Sequence, residues 1–152
     1  MIIHAMARKR AFSLIEVLLA IFLVALSALL VGATMPVASV SRAKANFQDK
    51  AMGMAQKQLE AIRGLGYSNA SPTQLFSYGL IDSTSAIAAN TYSFTNSDST
   101  SLDNPSRILP SGSGKVMIEQ VDLDLRRVTV TVSWSDRGTV KSYVLGTLIA
   151  NL

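Results

Sequence analysis

F-S-L-I-E-V-L-L-A-I-F-L-V-A-L-S-A-L-L-V occupies Phe12 to Val31 and holds a single charge, Glu16. A helix rises about 1.5 Å per residue, so this run reaches about 30 Å, the thickness of a bilayer's hydrocarbon core. Arg8, Lys9 and Arg10 stand just before it. A Lys/Arg excess on one flank holds that end in the cytoplasm, so the remainder of the chain belongs on the far side. Glu16 is the awkward residue. A charge at the bilayer centre costs about 2.5–3.5 kcal/mol on insertion scales. Near the cytoplasmic end a carboxylate snorkels and costs less, but it still wants a partner.

Two plain readings compete for this run. One is a secretory signal cut after V-G-A, Val31 to Ala33. The apolar run is longer than the roughly 7–15 residues of a signal core, and Glu16 interrupts it. The other is a simple single-pass anchor, which leaves Glu16 unexplained.

A short basic leader, a small residue and then F-S-L-I-E-V-L-L-A-I resembles the N-terminus of type IV pilins and type II secretion pseudopilins, the class III signal. The resemblance implies that prepilin peptidase cuts between Ala11 and Phe12 and methylates the new Phe12 amine. It gives Glu16, the fifth residue of the cut chain, the task of meeting a Phe12 amino group when subunits join a filament. Charge neutralisation at a buried pair is also a way to fix register. Ala11 departs from the glycine usual in the family. Alanine is also small, so cleavage is expected to be slower or unchanged rather than lost. Met6 offers an alternative start that leaves a leader of M-A-R-K-R-A.

Charge separates further function classes. The net charge is +4, yet residues 1–11 hold three Lys/Arg and no acid, which leaves the rest nearly neutral. The electrostatic footprint of a nucleic-acid binder is therefore missing. No cysteine is present, and the one histidine, His4, precedes the apolar run. Thiol chemistry is excluded, as is histidine chemistry beyond the run. Neither a cofactor nor a metal is expected, and the chain is not read as an enzyme.

Beyond the run, Ala28 and Gly32 lie four apart on one helix face, where small residues let helices approach. Pro36 removes a backbone donor, which predicts a kink or local unwinding. From Val37 the pattern becomes amphipathic, with Val40, Phe47, Ala51, Met54, Ala55, Leu59 and Ile62 on one side. Phe47 and Met54 read as core. Arg42, Lys44, Lys50, Lys57, Glu60 and Arg63 mostly take the other side, and Glu60 with Arg63 has ion-pair spacing. Gly64 and Gly66 end the helix.

Residues 67–115 are polar and broken by turn formers. Residues 75–78 (L-F-S-Y) and 91–95 (T-Y-S-F-T) are short strand candidates. Asp98, Asp103 and Asn104 invite a calcium reading, but their spacing fits no EF-hand and lacks its terminal Glu. Ser111 to Gly114 reads as a flexible turn and lacks the Lys-Ser/Thr of a phosphate loop. Val128, Val130, Val132 and Trp134 alternate with Thr and Ser, a half-buried strand. Residues 135–138 (S-D-R-G) turn the chain, residues 139–149 return antiparallel, and a strand near 116–121 pairs with the hairpin. Asp122 and Asp124 read as surface acids beside Arg126 and Arg127 rather than a catalytic pair.

The expected fold is α+β and pilin-like: a long N-terminal helix whose second half packs on a small antiparallel sheet of about three to five strands. The expected segments are a leader at 1–11, a membrane and filament-core helix at 12–35, an amphipathic half at 36–66 and a globular head at 67–152. The resemblance covers both ends, residues 8–36 and 116–150, and implies a structural subunit of a type IV pilus, with a minor pilin favoured. A type II secretion pseudopilin is the alternative, followed by a membrane-tethered binding module. The implied partners are other pilin subunits, prepilin peptidase, an inner-membrane assembly platform and the membrane itself, with DNA only for an uptake pilus. The implied location is the bacterial inner membrane, single-pass with a cytoplasmic N-terminus, and then a periplasmic or cell-surface filament.

Overall fold

The computed structural model describes residues 13–97 and 103–151, without the side chains of 33–41 and 43. The chain divides into two compact units, Met1–Arg42 and Ala43–Leu152. Helix α1, Leu14–Asn69, contributes to both.

In the first unit, α1 starts where the Ser13 carbonyl accepts the Glu16 amide at 2.9 Å and the Val17 amide at 3.2 Å. Straight-chain leucine and alanine favour the helix, and valine and isoleucine cost it little. Every described side chain of this unit is exposed. The helix continues through Pro36, where a kink or local unwinding was expected, so the backbone does not unwind there. A proline forfeits one intrahelical hydrogen bond, and here the rest of the helix carries that loss.

In the second unit, Ala51, Met54, Ala55 and Ile62 form the buried stripe of α1, with Phe47 and Leu59 packed beside it. Gln58 also lies in the stripe, and its amide nitrogen donates to the Leu80 carbonyl at 2.5 Å. The sequence pattern placed only apolar residues on this face. Gln58 belongs there because the loop it faces presents a carbonyl with no other partner among the described residues, and burying either group alone would be costly. At Gly66 (φ 76°, ψ 175°) the backbone leaves the helical region, a conformation glycine adopts without a Cβ clash. One further turn ends the helix at Asn69.

Helix α2, Pro72–Ser77, follows. Residues 75–78 are therefore not a strand. Pro72 at the first helical turn presets φ, and Leu75 alone is buried, as one turn of helix permits. Strand β1 (Thr91–Ser93), helix α3 (Pro105–Ile108) and strands β2 (Ser113–Asp122), β3 (Leu125–Asp136) and β4 (Thr139–Ala150) complete the unit. The four strands form one antiparallel sheet in the order β1-β2-β3-β4.

Register follows the apolar alternation. Val130 stands opposite Val116 on one side and Leu145 on the other. Val128, Val130, Val132 and Trp134 face the helix stripe in a single core. Each fully buried valine stabilises the fold by about 1.5–3 kcal/mol. The β3–β4 hairpin turns on Arg137 and Gly138, both at positive φ, a two-residue loop matched to strand twist. This is the α+β, pilin-like arrangement expected from sequence.

Ser111 to Gly114 is not a flexible turn. A Cβ at Gly112 would collide with the Pro105 carbonyl, and one at Gly114 would come within 2.5 Å of the Phe94 ring. These glycines are close-packing positions, and Gly114 already belongs to β2.

Candidate functional site

Two places in the chain gather unusual residues. The first is the start of α1. Glu16 occupies its first turn, where unpaired backbone N–H groups present partial positive charge that favours a carboxylate. The spacing Ser13–x–x–Glu16 is that of a capping box, yet no side-chain hydrogen bond closes it among the described residues. Glu16 is exposed. Ala11 and Phe12, the expected cleavage and methylation residues, lie outside the described residues.

From Leu14 to Gly32 the helix is long and apolar enough to cross a membrane, and none of that window is buried by the chain itself. Leu14 is 78 % exposed, Val24 69 % and Leu29 74 %. Soluble monomers rarely show apolar patches on this scale, so the surface calls for lipid or other subunits. Ser27, the hydroxyl in mid-run, donates to the Leu23 carbonyl at 2.7 Å. That back-bond removes most of the cost of a polar group in an apolar medium.

The second place joins the end of α1 to the β2–β3 turn. Arg126 Nη1 donates to the carbonyls of Tyr67 and Ala70, each at 2.9 Å. Its guanidinium carbon stands 4.4 Å from the centre of the Tyr67 ring. The Tyr67 hydroxyl donates to the Leu123 carbonyl at 2.7 Å, and Gln120 Nε2 donates to the Tyr67 hydroxyl at 2.6 Å. Sequence reading placed Arg126 beside surface acids. In the structure it pairs with no carboxylate among the described residues, and instead caps a helix end. Arg127 meets Glu119 at 3.8 Å. Asp122 and Asp124 are exposed acids, as expected.

The calcium candidates do not assemble. Asp103 pairs with Lys57 at 2.9 Å, and Asp98 lies outside the described residues. No group of three His, Cys, Asp or Glu able to hold a metal occurs among the described residues. Asp82 was missed from sequence. Its carboxylate accepts the Thr95 amide at 2.8 Å and the Asn96 amide at 2.9 Å, together with the Ser93 hydroxyl, and so pins the segment after β1. Its only signal was an isolated acid in a polar stretch.

Of these two places, the start of α1 is the one with a match among known families. Residues 6–32 match the family described as the prokaryotic N-terminal methylation motif. The chain carries a class III prepilin signal. That signal belongs to type IV pilin-like proteins, and it supports a pilin-like or pseudopilin-like protein. The apolar half of α1 fits a single-pass membrane-anchored protein of this kind. No match to a curated protein or to a solved structure was found. The matched residues take in the basic residues before the run and the whole exposed apolar stretch Leu14–Gly32.

Proposed function

We propose that the chain is a structural subunit of a type IV pilus or related filament, a minor pilin, stored in the inner membrane until assembly. The supporting observation is the coincidence of the methylation motif at 6–32 with an apolar helix that the chain itself leaves wholly uncovered. In the proposed route, prepilin peptidase removes residues 1–11 and methylates the Phe12 amine. A secondary amine remains basic, so the new terminus keeps its positive charge. The N-terminus is cytoplasmic before cleavage and the unit Ala43–Leu152 lies across the membrane.

Moving such a helix from lipid into a filament gains nothing from the hydrophobic effect, because lipid tails are as apolar as leucine. Packing and polar pairing must decide the exchange. Glu16 is the one charge in the run, and a Phe12 ammonium of a neighbouring subunit is its natural partner. The role is structural and not catalytic, and the partners are other pilin subunits, the peptidase and an assembly platform.

Mass spectrometry of the N-terminus, from cells that hold a prepilin peptidase, tests this reading. The expected chain begins at N-methylated Phe12. An intact leader, or a chain beginning at Thr34, would overturn it.

A further inference from the structure

The clamp at Arg126 leaves part of its guanidinium unused. Nη1 serves the two carbonyls at the end of α1, and Nε donates to Gln120 Oε1 at 3.2 Å. Nη2 makes no hydrogen bond and meets no carboxylate among the described residues. Arginine carries five N–H donors and stays charged at every physiological pH. A held, partly buried guanidinium with no carboxylate partner among the described residues and a spare Nη2 is therefore a candidate anion site.

The space beside it has the right form. A cleft of about 240 Å³ is lined by Arg126, Ser71, Asn90, Tyr92, Gln120 and Ile118 among others, and no acidic residue contributes to it. Water takes about 30 Å³ per molecule in the liquid, so the cleft holds a group of several heavy atoms. The Ser71 hydroxyl and the Asn90 amide make no hydrogen bond among the described residues, so both are free to donate. Gln120 Nε2 is fully engaged with Tyr67 and the β2–β3 turn, and serves to orient Arg126. Ile118, Ala70 and Pro72 give the cleft an apolar wall.

The geometry points to a binding site for a carboxylate carried on a small aliphatic body, with Arg126 Nη2 as its charge partner and Ser71 and Asn90 as neutral donors. One positive charge and an apolar wall suit a monovalent carboxylate better than a divalent tetrahedral anion. The site lies within the unit Ala43–Leu152 and does not rest on the filament reading.

NMR titration of the full chain in an uncharged detergent, with sodium propionate and separately with sodium sulfate, tests the site. Saturable propionate shifts at the amides of Ser71, Asn90 and Ile118 are expected, with sulfate weaker. Asn90→Asp places a negative charge in the cleft while leaving the hydrogen bonds of Arg126 intact. Aspartate tolerates the positive φ of 52° found there, so the variant folds. It should weaken propionate at least tenfold, and Ser71→Asp should do the same. A dilution series without propionate identifies the source: concentration-dependent shifts at the same amides assign the carboxylate to a second copy of the chain. Non-saturating shifts, shifts unchanged in Asn90→Asp, or tighter binding of sulfate would each overturn the proposal.

Discussion

Arg126 holds Tyr67 twice, through the ring face at 4.4 Å and through the backbone carbonyl at 2.9 Å. One side chain at the start of β3 thus closes the end of α1. Exposed carbonyls at a helix end otherwise rely on water or a C-terminal glycine motif. Here Gly66 breaks the helix three residues before its end at Asn69, and Arg126 joins the Ala70 amide and the Asn69 side chain in holding the final turn.

Arg126→Met keeps the aliphatic stem and removes every donor. It should destabilise the fold by about 2–3 kcal/mol, since hydrogen bonds from charged groups contribute about 1.5–3 kcal/mol. Arg126→Lys should recover less than half, because an ammonium cannot reproduce the planar fork. Denaturant melts of the full chain in detergent measure both.

Gly114→Ala should cost about 1–3 kcal/mol, the usual range for overpacking, because the buried Phe94 ring stands where the new methyl would go. Gly146→Ala is the control. A Cβ there meets Thr129 Oγ1 at 3.5 Å, an ordinary contact, and alanine is the better strand residue. It should be neutral. The pair Gly114→Ala, Phe94→Leu should recover part of the loss, measured by the same melts.

Which parts were legible in sequence follows from the range of the forces involved. The stripe Ala51, Met54, Ala55, Ile62 and the alternation Val128 to Trp134 are local periodicities, so helix and hairpin could be read directly. The apolar helix Leu14–Gly32 was legible because a long apolar run is equally local. Residues 71–114 lack a period, and among those described the positions are set by single long-range contacts: Gln58 to Leu80, Asp82 to Thr95, Gly114 against Phe94. None of these leaves a pattern along the chain. The role of Arg126 was hidden likewise. The nearest acids in sequence, Asp122 and Asp124, do not pair with it, while the two carbonyls it binds are 59 and 56 residues away.

Asp82→Asn tests one of those long-range bonds. Each Asp82 oxygen accepts a backbone amide, Thr95 for Oδ2 and Asn96 for Oδ1. An amide side chain has only one oxygen, so one backbone N–H must face another donor. A loss of about 1–3 kcal/mol is expected. Hydrogen exchange should localise it, with faster exchange at Thr95 or Asn96 and little change at Val130. By contrast, Asp103→Asn, which breaks an ion pair with Lys57 at the surface, should change stability by no more than about 1 kcal/mol.

Glu16→Ala tests the proposed assembly step. The residue is exposed, makes no side-chain hydrogen bond among the described residues and sits in the first turn of α1, so its removal leaves the helix and the second unit standing. Loss of a first-turn carboxylate costs a helix about 0.3–1 kcal/mol, which a span of this length absorbs. Insertion should improve, since the one charge in the apolar run is gone. Cleavage at Ala11–Phe12 should proceed as before. Incorporation into filaments should fall at least tenfold, because lipid and filament are equally apolar and the carboxylate supplies the difference. Glu16→Gln keeps size and hydrogen bonding but not charge. It should fail nearly as badly if neutralisation of the Phe12 ammonium is the step that matters. Immunoblots of membrane and sheared-filament fractions read all three quantities, and normal incorporation of either variant would remove Glu16 from the assembly step.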